Sequence, residues 1–478
     1  MSGETFDIAV VGGGPGGYVA AIRAAQLGQS VALIEKDPFL GGTCLHRGCI
    51  PTKALLHYAE VFGELKRCAD YGVMVDNVRL DVARMQHKKN DVVNRLARGI
   101  DGLIKKNRIR TVAGKGRLVG PGRVEVSGES TTLVEARTVV LATGSLPVML
   151  PGLQADGRRV FTSDEILELD RVPASMLVIG AGAVGLEFAS VYRRFGTSVR
   201  VVELLPRALP NEDEEISAEI QKALGKQGIE ILTSTRVEKV EVEENGVRVR
   251  VSTSEGEQLL EAETLLVAVG RRPNTQGLGL EEAGVAMDGP RVRVDDFGRT
   301  NLPGVYAVGD LTPGPQLAHM ASAEGILAVE HAAGHEVRAI DYDRIPGATY
   351  CKPEVASVGL TEREARERGY DVRVGRFPWA ALGKAAILGE TEGLVKIVGE
   401  AKYGELLGVH MIGPHVTDLI AEACLALQCE ATVEELFRTV HAHPTLSEAI
   451  MEAAHGVFGV PIHSVPPPPR RAPVGAGA

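Results

Sequence analysis

Apolar and polar positions along this chain alternate between two periods. Residues 8–11 (IAVV) form a short apolar block that runs into GGGPGG, and residues 18–28 (YVAAIRAAQLG) then place apolar positions at helical spacing. The next block, SVALIE, is apolar and ends on Glu35. The same succession recurs from residue 176 as MLVIGAGAVG, LEFASVYRRFG and SVRVVE, ending on Glu203. Each copy predicts strand, glycine turn, helix and second strand. Residues 117–128 (RLVGPGRVEVSG) and 237–257 (VEKVEVEENGVRVRVSTSEGE) alternate with a period of two around turn dipeptides, which predicts antiparallel hairpins. TVVLATGS (138–145) and LLVAVGRRPN (265–274) predict further apolar strands ending at glycine, and GRTNLPGVYAVGD (298–310) closes the central part. From about residue 346 the character changes. LVKIV and LLGVHMIG read as strands ahead of two amphipathic helices, VTDLIAEACLALQ and VEELFRTV, as in a separate domain. The proline-rich end, SVPPPPRRAPVGAGA, predicts a disordered tail.

Composition narrows the class. The chain has 478 residues, enough for several domains, with 44% hydrophobic and 24% charged residues. Its net charge of −10 argues against a general nucleic-acid binder, which needs a basic surface. The 6 cysteines do not make a disulfide scaffold. The block at 8–11 reads as a buried strand and not as the apolar centre of a signal peptide, and no run reaches a membrane span of ~18 residues. The expectation is a cytoplasmic protein that binds neither membrane nor nucleic acid.

The two glycine clusters are both GxGxxG: Gly12, Gly14, Gly17 and Gly180, Gly182, Gly185. In each copy 23 positions separate the first glycine from the terminal acid. Glycines there let the backbone approach a pyrophosphate whose charge a helix N-terminus favours, and the acid accepts from a ribose diol. Two complete copies predict two dinucleotides, or two halves of an electron path.

GGTCLHRGCIPTK (41–53) places Cys44 and Cys49 five positions apart ahead of a helical stretch. On a regular helix, Cα atoms at that spacing lie roughly 8–9 Å apart. A disulfide wants less than ~7 Å, so a bond requires a local distortion, which Gly48 and Pro51 permit. The alternative is two buried free thiols. A second motif, HAHPTLSE (441–448), supplies a candidate base in His443, with Glu448 placed to orient the imidazole. Thr445-x-x-Glu448 also reads as a capping box. His441 reads as a packing or surface residue.

With these motifs the chain resembles the FAD-dependent pyridine nucleotide–disulfide oxidoreductases over about residues 5–460. The resemblance rests on the two fingerprints, GGTCLHRGCIPTKALL, ATGS, GRRPNT, AVGD, LAH (317–319), PEVASVGLTE (353–362) and HAHPTLSE. It implies an α/β fold with two Rossmann-like dinucleotide-binding domains plus a C-terminal α+β dimerisation domain. The implied boundaries are 1–147 and 275–345 for FAD, 148–274 for NAD, 346–466 for the interface and 467–478 for the tail. The resemblance further implies FAD held by Gly12, Gly14, Gly17, Glu35, Gly42, Thr43, Lys53, Gly116, Thr143, Gly144, Ser145, Asp310, Leu317, Ala318 and His319. NAD would lie against Gly180, Gly182, Gly185, Glu187, Glu203, Val237 and Gly270. Cys49 would be the thiol against the flavin, Cys44 the interchange thiol of a redox disulfide, and Lys53 and Glu187 a pair beside the flavin ring. His443 would come from the second subunit of a homodimer. No metal is implied.

The expected reaction is oxidation of protein-bound dihydrolipoamide to lipoamide with reduction of NAD⁺. The expected partners are lipoyl domains, of the E2 component of a 2-oxo-acid dehydrogenase complex or of the glycine cleavage H protein. Two alternatives stay open: another disulfide reductase of the glutathione or mercuric type, and a non-enzymatic FAD/NAD redox sensor. Glu203 followed by Leu204-Leu205-Pro206 opposes the 2′-phosphate of NADP, although Arg207 is near. His46, Arg47 and Leu382 depart from the commonest family residues. Cys68, Cys351, Cys424 and Cys429 read as structural thiols.

Overall fold

The computed structural model describes residues 4–465. The tail expected at 467–478 lies outside the described residues. The chain divides into two compact units, Met1–Val202 with Thr235–Tyr342, and Glu203–Ser234 with Asp343–Ala478.

The first unit is built on strands whose residues were legible as apolar blocks. Its elements to residue 202 are β1 (Glu4–Val11), α1 (Pro15–Gln26), β2 (Val31–Glu35), α2 (Gly42–Arg47), α3 (Cys49–Arg67), α4 (Val82–Lys106), β3 (Arg110–Ala113), β4 (Lys115–Gly120), β5 (Arg123–Ser127), β6 (Thr131–Leu141), β7 (Ser145–Pro147), β8 (Val160–Phe161), β9 (Ser175–Ile179), α5 (Ala183–Phe195) and β10 (Ser198–Val202). After residue 235 it holds β12 (Arg236–Glu243), β13 (Gly246–Thr253), β14 (Gly256–Ala262), β15 (Thr264–Val267), β16 (Arg271–Pro273), α7 (Leu280–Ala283), β17 (Met287–Asp288), β18 (Arg291–Val292), β19 (Val305–Ala307) and α8 (Ala318–Ala332). One sheet runs β3-β2-β1-β6-β5-β4. Its core is parallel, with Val10 opposite Leu33 and Val140, and β5 and β4 join antiparallel. β6 is long enough to pair β5 along its first half and β19 along its last three residues. The near-continuous burial of Ile8, Ala9, Val10 and Val11 fits a strand covered on both faces. A second parallel sheet runs β10-β9-β15-β8. The expected hairpins form β4-β5 and the separate sheet β12-β13-β14.

The second unit contains α6 (Glu214–Lys226), β11 (Ile229–Leu232), β20 (Gly347–Thr349), β21 (Glu354–Gly359), α9 (Glu362–Glu367), β22 (Val372–Pro378), α10 (Gly383–Leu388), β23 (Leu394–Glu400), β24 (Leu406–Gly413), α11 (Val416–Gln428), α12 (Val433–Arg438) and α13 (Glu448–Val457). Its sheet is wholly antiparallel, β20-β21-β24-β23-β22. α11, α12 and α13 contribute Ile420, Leu436 and Ile450 to one core with Val395, Val409 and Trp379. The buried indole N–H donates to the Ile412 carbonyl at 2.6 Å, so the one tryptophan brings no unpaired polar atom into that core. Among the described residues no helix is long and apolar enough to cross a membrane.

Candidate active site

Each glycine fingerprint forms the turn from a strand into a helix. After β1 the backbone of Gly12 takes φ +106°, and a Cβ there would stand 2.4 Å from the Ala142 carbonyl oxygen. A Cβ on Gly17 would stand 1.8 Å from the Gly12 oxygen. The second copy meets the same obstacles at Gly180 and Gly185, 2.4 Å from Ala268 O and 2.0 Å from Gly180 O. Only glycine fits. Gly14 and Gly182 are the N-cap residues of α1 and α5, and neither helix has a side-chain cap or an acid in its first turn. By contrast α9 and α12 carry full capping boxes. Uncapped N–H groups behind a glycine that offers no side chain suit an anionic diphosphate.

The other flavin candidates gather around the first fingerprint. Glu35 accepts from the N–H groups of Gly13 at 2.6 Å and Asp37 at 2.8 Å, which sets its carboxylate at the end of β2. Gly42 abuts Gly14, where a Cβ would come within 2.6 Å of the Gly14 Cα. Gly116 lies in β4 against Val11 and Ile34. Thr143 donates to the Asn274 carbonyl at 2.9 Å, and Gly144 accepts from the Asn274 N–H at 2.8 Å. Leu317 caps α8, on whose first turn Ala318 and His319 sit. Asp310 is held by a relay that the motifs alone did not reveal. Arg271 donates to the Ser145 hydroxyl at 2.7 Å and to its carbonyl at 2.9 Å, and that hydroxyl donates to Asp310. Beside it, Tyr342 donates to buried Glu324 at 2.7 Å, and Glu324 takes the Gly309 N–H. Burial raises the Glu324 carboxyl above the usual range.

The cysteine loop is broken where distortion was expected. α2 and α3 meet at Gly48, whose φ −148°, ψ −114° belongs to neither helix. Cys44 lies inside α2 and Cys49 is the first residue of α3. The disulfide implied by the resemblance is not formed here; both are free, half-buried thiols. They are hydrogen-bonded, and the pair titrates unequally. The bond to Cys49 and burial push the Cys44 thiol far up. The bond from Cys44 pulls Cys49 down to about 7, against burial and with help from Lys53. One thiol is thus a proton donor and the other a thiolate near neutral pH. Lys53, one turn further along α3, donates to both oxygens of Glu187 at 3.0 and 2.9 Å. Glu187 lies on α5 with its side chain 4% exposed. The two loop residues that depart from the commonest pattern are also engaged. His46 bonds the Leu40 carbonyl at 2.8 Å, and Arg47 donates to Asp37 at 2.6 Å. The third, Leu382, is buried ahead of α10.

In the second unit His443 and Glu448 do meet. Nδ1 of His443 lies 2.9 Å from one Glu448 oxygen, and the other oxygen takes the Thr445 N–H at 2.8 Å. Burial would raise the Glu448 carboxyl, but Thr445 and His443 outweigh it and hold it below its usual value. With Nδ1–H donating, Nε2 carries the lone pair of a base. The capping-box reading is half correct. Thr445 turns its hydroxyl to the Ala442 carbonyl at 2.6 Å, Ser447 precedes α13, and one carboxylate serves both the loop and the imidazole. Glu203 opens the second unit and takes the Leu205 N–H at 2.8 Å. Arg207 is occupied by Glu214 and the Pro210 carbonyl, both at 3.0 Å. Val237 lies on β12, and Gly270 bonds the Val148 N–H at 3.0 Å. Of the two readings of His441 the packing one holds, its side chain being 5% exposed.

The match to the pyridine nucleotide-disulphide oxidoreductase model over residues 6–325, and to its dimerisation domain over 345–454, shows that the chain belongs to this family. It is 45% identical to dihydrolipoyl dehydrogenase of Bacillus subtilis, over 96% of this chain and 99% of that one. It is equally 45% identical to mitochondrial dihydrolipoyl dehydrogenase of Pisum sativum, covering 96% and 92%. The crystal structure of LpdA from Mycobacterium tuberculosis superposes with a TM-score of 0.88 at 29% identity, covering 94% and 99%. FAD and NAD(H) are the family's cofactors.

Proposed function

We propose that this chain is a dihydrolipoamide dehydrogenase that oxidises protein-bound dihydrolipoamide and reduces NAD⁺. The observation that carries the reading is the thiol pair set side by side at the Gly48 break, with Lys53 one turn on and paired to Glu187. Its close relatives named above are dihydrolipoyl dehydrogenases along almost their whole length.

In the oxidised state Cys44 and Cys49 share a disulfide. His443 Nε2 takes a proton from a dihydrolipoamide thiol, and Glu448 stabilises the resulting imidazolium. The substrate thiolate attacks the Cys44 sulfur, and Cys49 leaves as a thiolate that Lys53 favours. The second substrate thiol gives its proton to solvent and closes the lipoamide disulfide, breaking the bond to Cys44, whose sulfur takes the proton held by the His443 imidazolium. The substrate has then lost two electrons, and the cysteine pair holds them. FAD, when bound, supplies the passage of that electron pair to the nicotinamide. Gly12, Gly14, Gly17, Glu35, Gly42, Thr43, Lys53, Gly116, Thr143, Gly144, Ser145, Asp310, Leu317, Ala318 and His319 would hold it. Gly180, Gly182, Gly185, Glu187, Glu203, Val237 and Gly270 would hold NAD.

A carboxylate at Glu203 and an Arg207 already engaged favour NAD over NADP. The family's dimerisation domain supports a homodimer in which His443 serves the partner's cysteines. The reading extends to a cytoplasmic location, to lipoyl domains of an E2 component or H protein as partners, and to the four-part domain division set out from the sequence. Steady-state assays with NAD⁺ or NADP⁺ against dihydrolipoamide and reduced glutathione test it. NAD⁺ with dihydrolipoamide is the expected pair, and preference for NADP⁺ with glutathione refutes it.

A further inference from the structure

Two residues before His443, His441 is built very differently. Its side chain is 5% exposed, whereas that of His443 is 78% exposed. Nδ1 of His441 lies 2.9 Å from the Thr439 carbonyl and Nε2 lies 2.8 Å from Glu422 Oε1 on α11. A carbonyl and a carboxylate both only accept. A neutral ring would set a lone pair against one of them in a nearly dry place, so both nitrogens carry hydrogen. The bond to Glu422 accordingly raises the His441 pKa above its ordinary value, and Glu448 adds to the effect. His441 in turn helps keep Glu448 ionised. Of the other acids on the neighbouring helices, Asp418 on α11 is exposed and the rest are committed elsewhere. On α12, Glu434 takes Arg438 and Glu435 takes the Thr432 N–H and hydroxyl. On α13, Glu452 takes His463. The charged groups facing this segment are therefore Glu422, Glu448 and His443 itself.

We propose that His441 is a positioning residue for the base, a fixed imidazolium that ties the segment 439–443 to α11 and offsets the negative charge of Glu448. This rests on His443 being the base of the dithiol reaction. The Glu448 carboxylate bonds His443 directly, and the cation of His441 two residues away counters that carboxylate's charge.

The test is the pH profile of kcat/KM for dihydrolipoamide in the FAD-loaded enzyme. In His441→Gln the acid limb moves upward by about one pH unit, roughly a tenfold loss on that limb, while the high-pH plateau changes little. His441→Lys, which restores a cation within reach of Glu422, recovers most of the shift. A uniform loss at every pH, with the limb unmoved, overturns the proposal. His443→Gln separates the two readings. If it retains dithiol turnover, the assignment of the base fails. If it is inactive and His441→Gln leaves the limb in place, only this inference fails. ¹⁵N-histidine spectra of the unaltered protein give a check that needs no variant. His441 is expected to hold its second proton to a higher pH than a free imidazole, and a neutral tautomer at the pH where a free imidazole loses its proton contradicts the assignment.

Discussion

At the scale of single residues the account turns on Cys49. Its thiolate is set first by the hydrogen bond from Cys44, opposed by burial and assisted by Lys53. Alkylation of the reduced enzyme should therefore show a rate inflection near pH 7 that belongs to Cys49. In Cys44→Ala the donor is gone, and the inflection should move to higher pH. Lys53→Met should move it the same way, since the cation is lost and Glu187 is left facing the sulfur. An unchanged inflection in both variants would remove the stated cause. Cys44→Ser and Cys49→Ser should each abolish dithiol turnover and still retain FAD. The placement of this pair was legible because it lies in a short contiguous motif. The relay from Arg271 through Ser145 to Asp310 was not, because its members are as much as 165 positions apart. His441 is packed, one of the two readings its sequence allowed, but its ion pair was hidden for the same reason. Its partner Glu422 sits 19 residues away on another helix, and no local pattern announces it.

At the scale of elements, close backbone approach specifies the two strand–turn–helix units, and one added methyl should break them. Gly17→Ala places a carbon 1.8 Å from a carbonyl oxygen that cannot move without displacing β1. The protein should be recovered with little or no FAD, measured as flavin absorbance per chain. Retention of stoichiometric FAD would show that the turn is looser than described. These units were readable since apolar strand, glycine turn and helix follow each other without interruption. A strand such as β19, three residues long, carries no periodicity of its own and joins β6 only through tertiary pairing. Helix α4 has 25 residues, and its few buried ones, Val93, Ala97 and Ile104 among them, lie at helical spacing in a largely polar sequence that carries no chemical motif.

At the scale of the whole molecule, the second unit carries a buried ionic cluster that sequence could not show. Lys396 on β23, its side chain 2% exposed, donates to both oxygens of Asp213 at 2.9 Å and to Glu215 at 2.9 Å. Glu362 lies 3.1 Å away, and Arg376 donates to Glu215 at 2.6 Å. Lys396→Met would leave Asp213 buried without its cation and should cost about 3–5 kcal/mol in denaturant unfolding. Burial acts to raise the Glu215 carboxyl, but bonds from Arg376 and Lys396 override it and hold it at about 2, against an ordinary 4.5. The stability this group contributes is present above pH 4.5 and is lost as the pH falls towards 2. Acid unfolding in that window should be blunted in Glu215→Gln. Sedimentation of the intact protein should give a homodimer, as the dimerisation domain requires.

The most direct measurement is anaerobic reduction of the FAD-loaded protein by one equivalent of dihydrolipoamide, followed by absorbance. A long-wavelength band from a thiolate against the flavin should rise in the unaltered protein and vanish on adding NAD⁺, and it should never appear in Cys49→Ser. Reduction without such a band, or an identical band in Cys49→Ser, would contradict the assignment of these two sulfurs to the electron path.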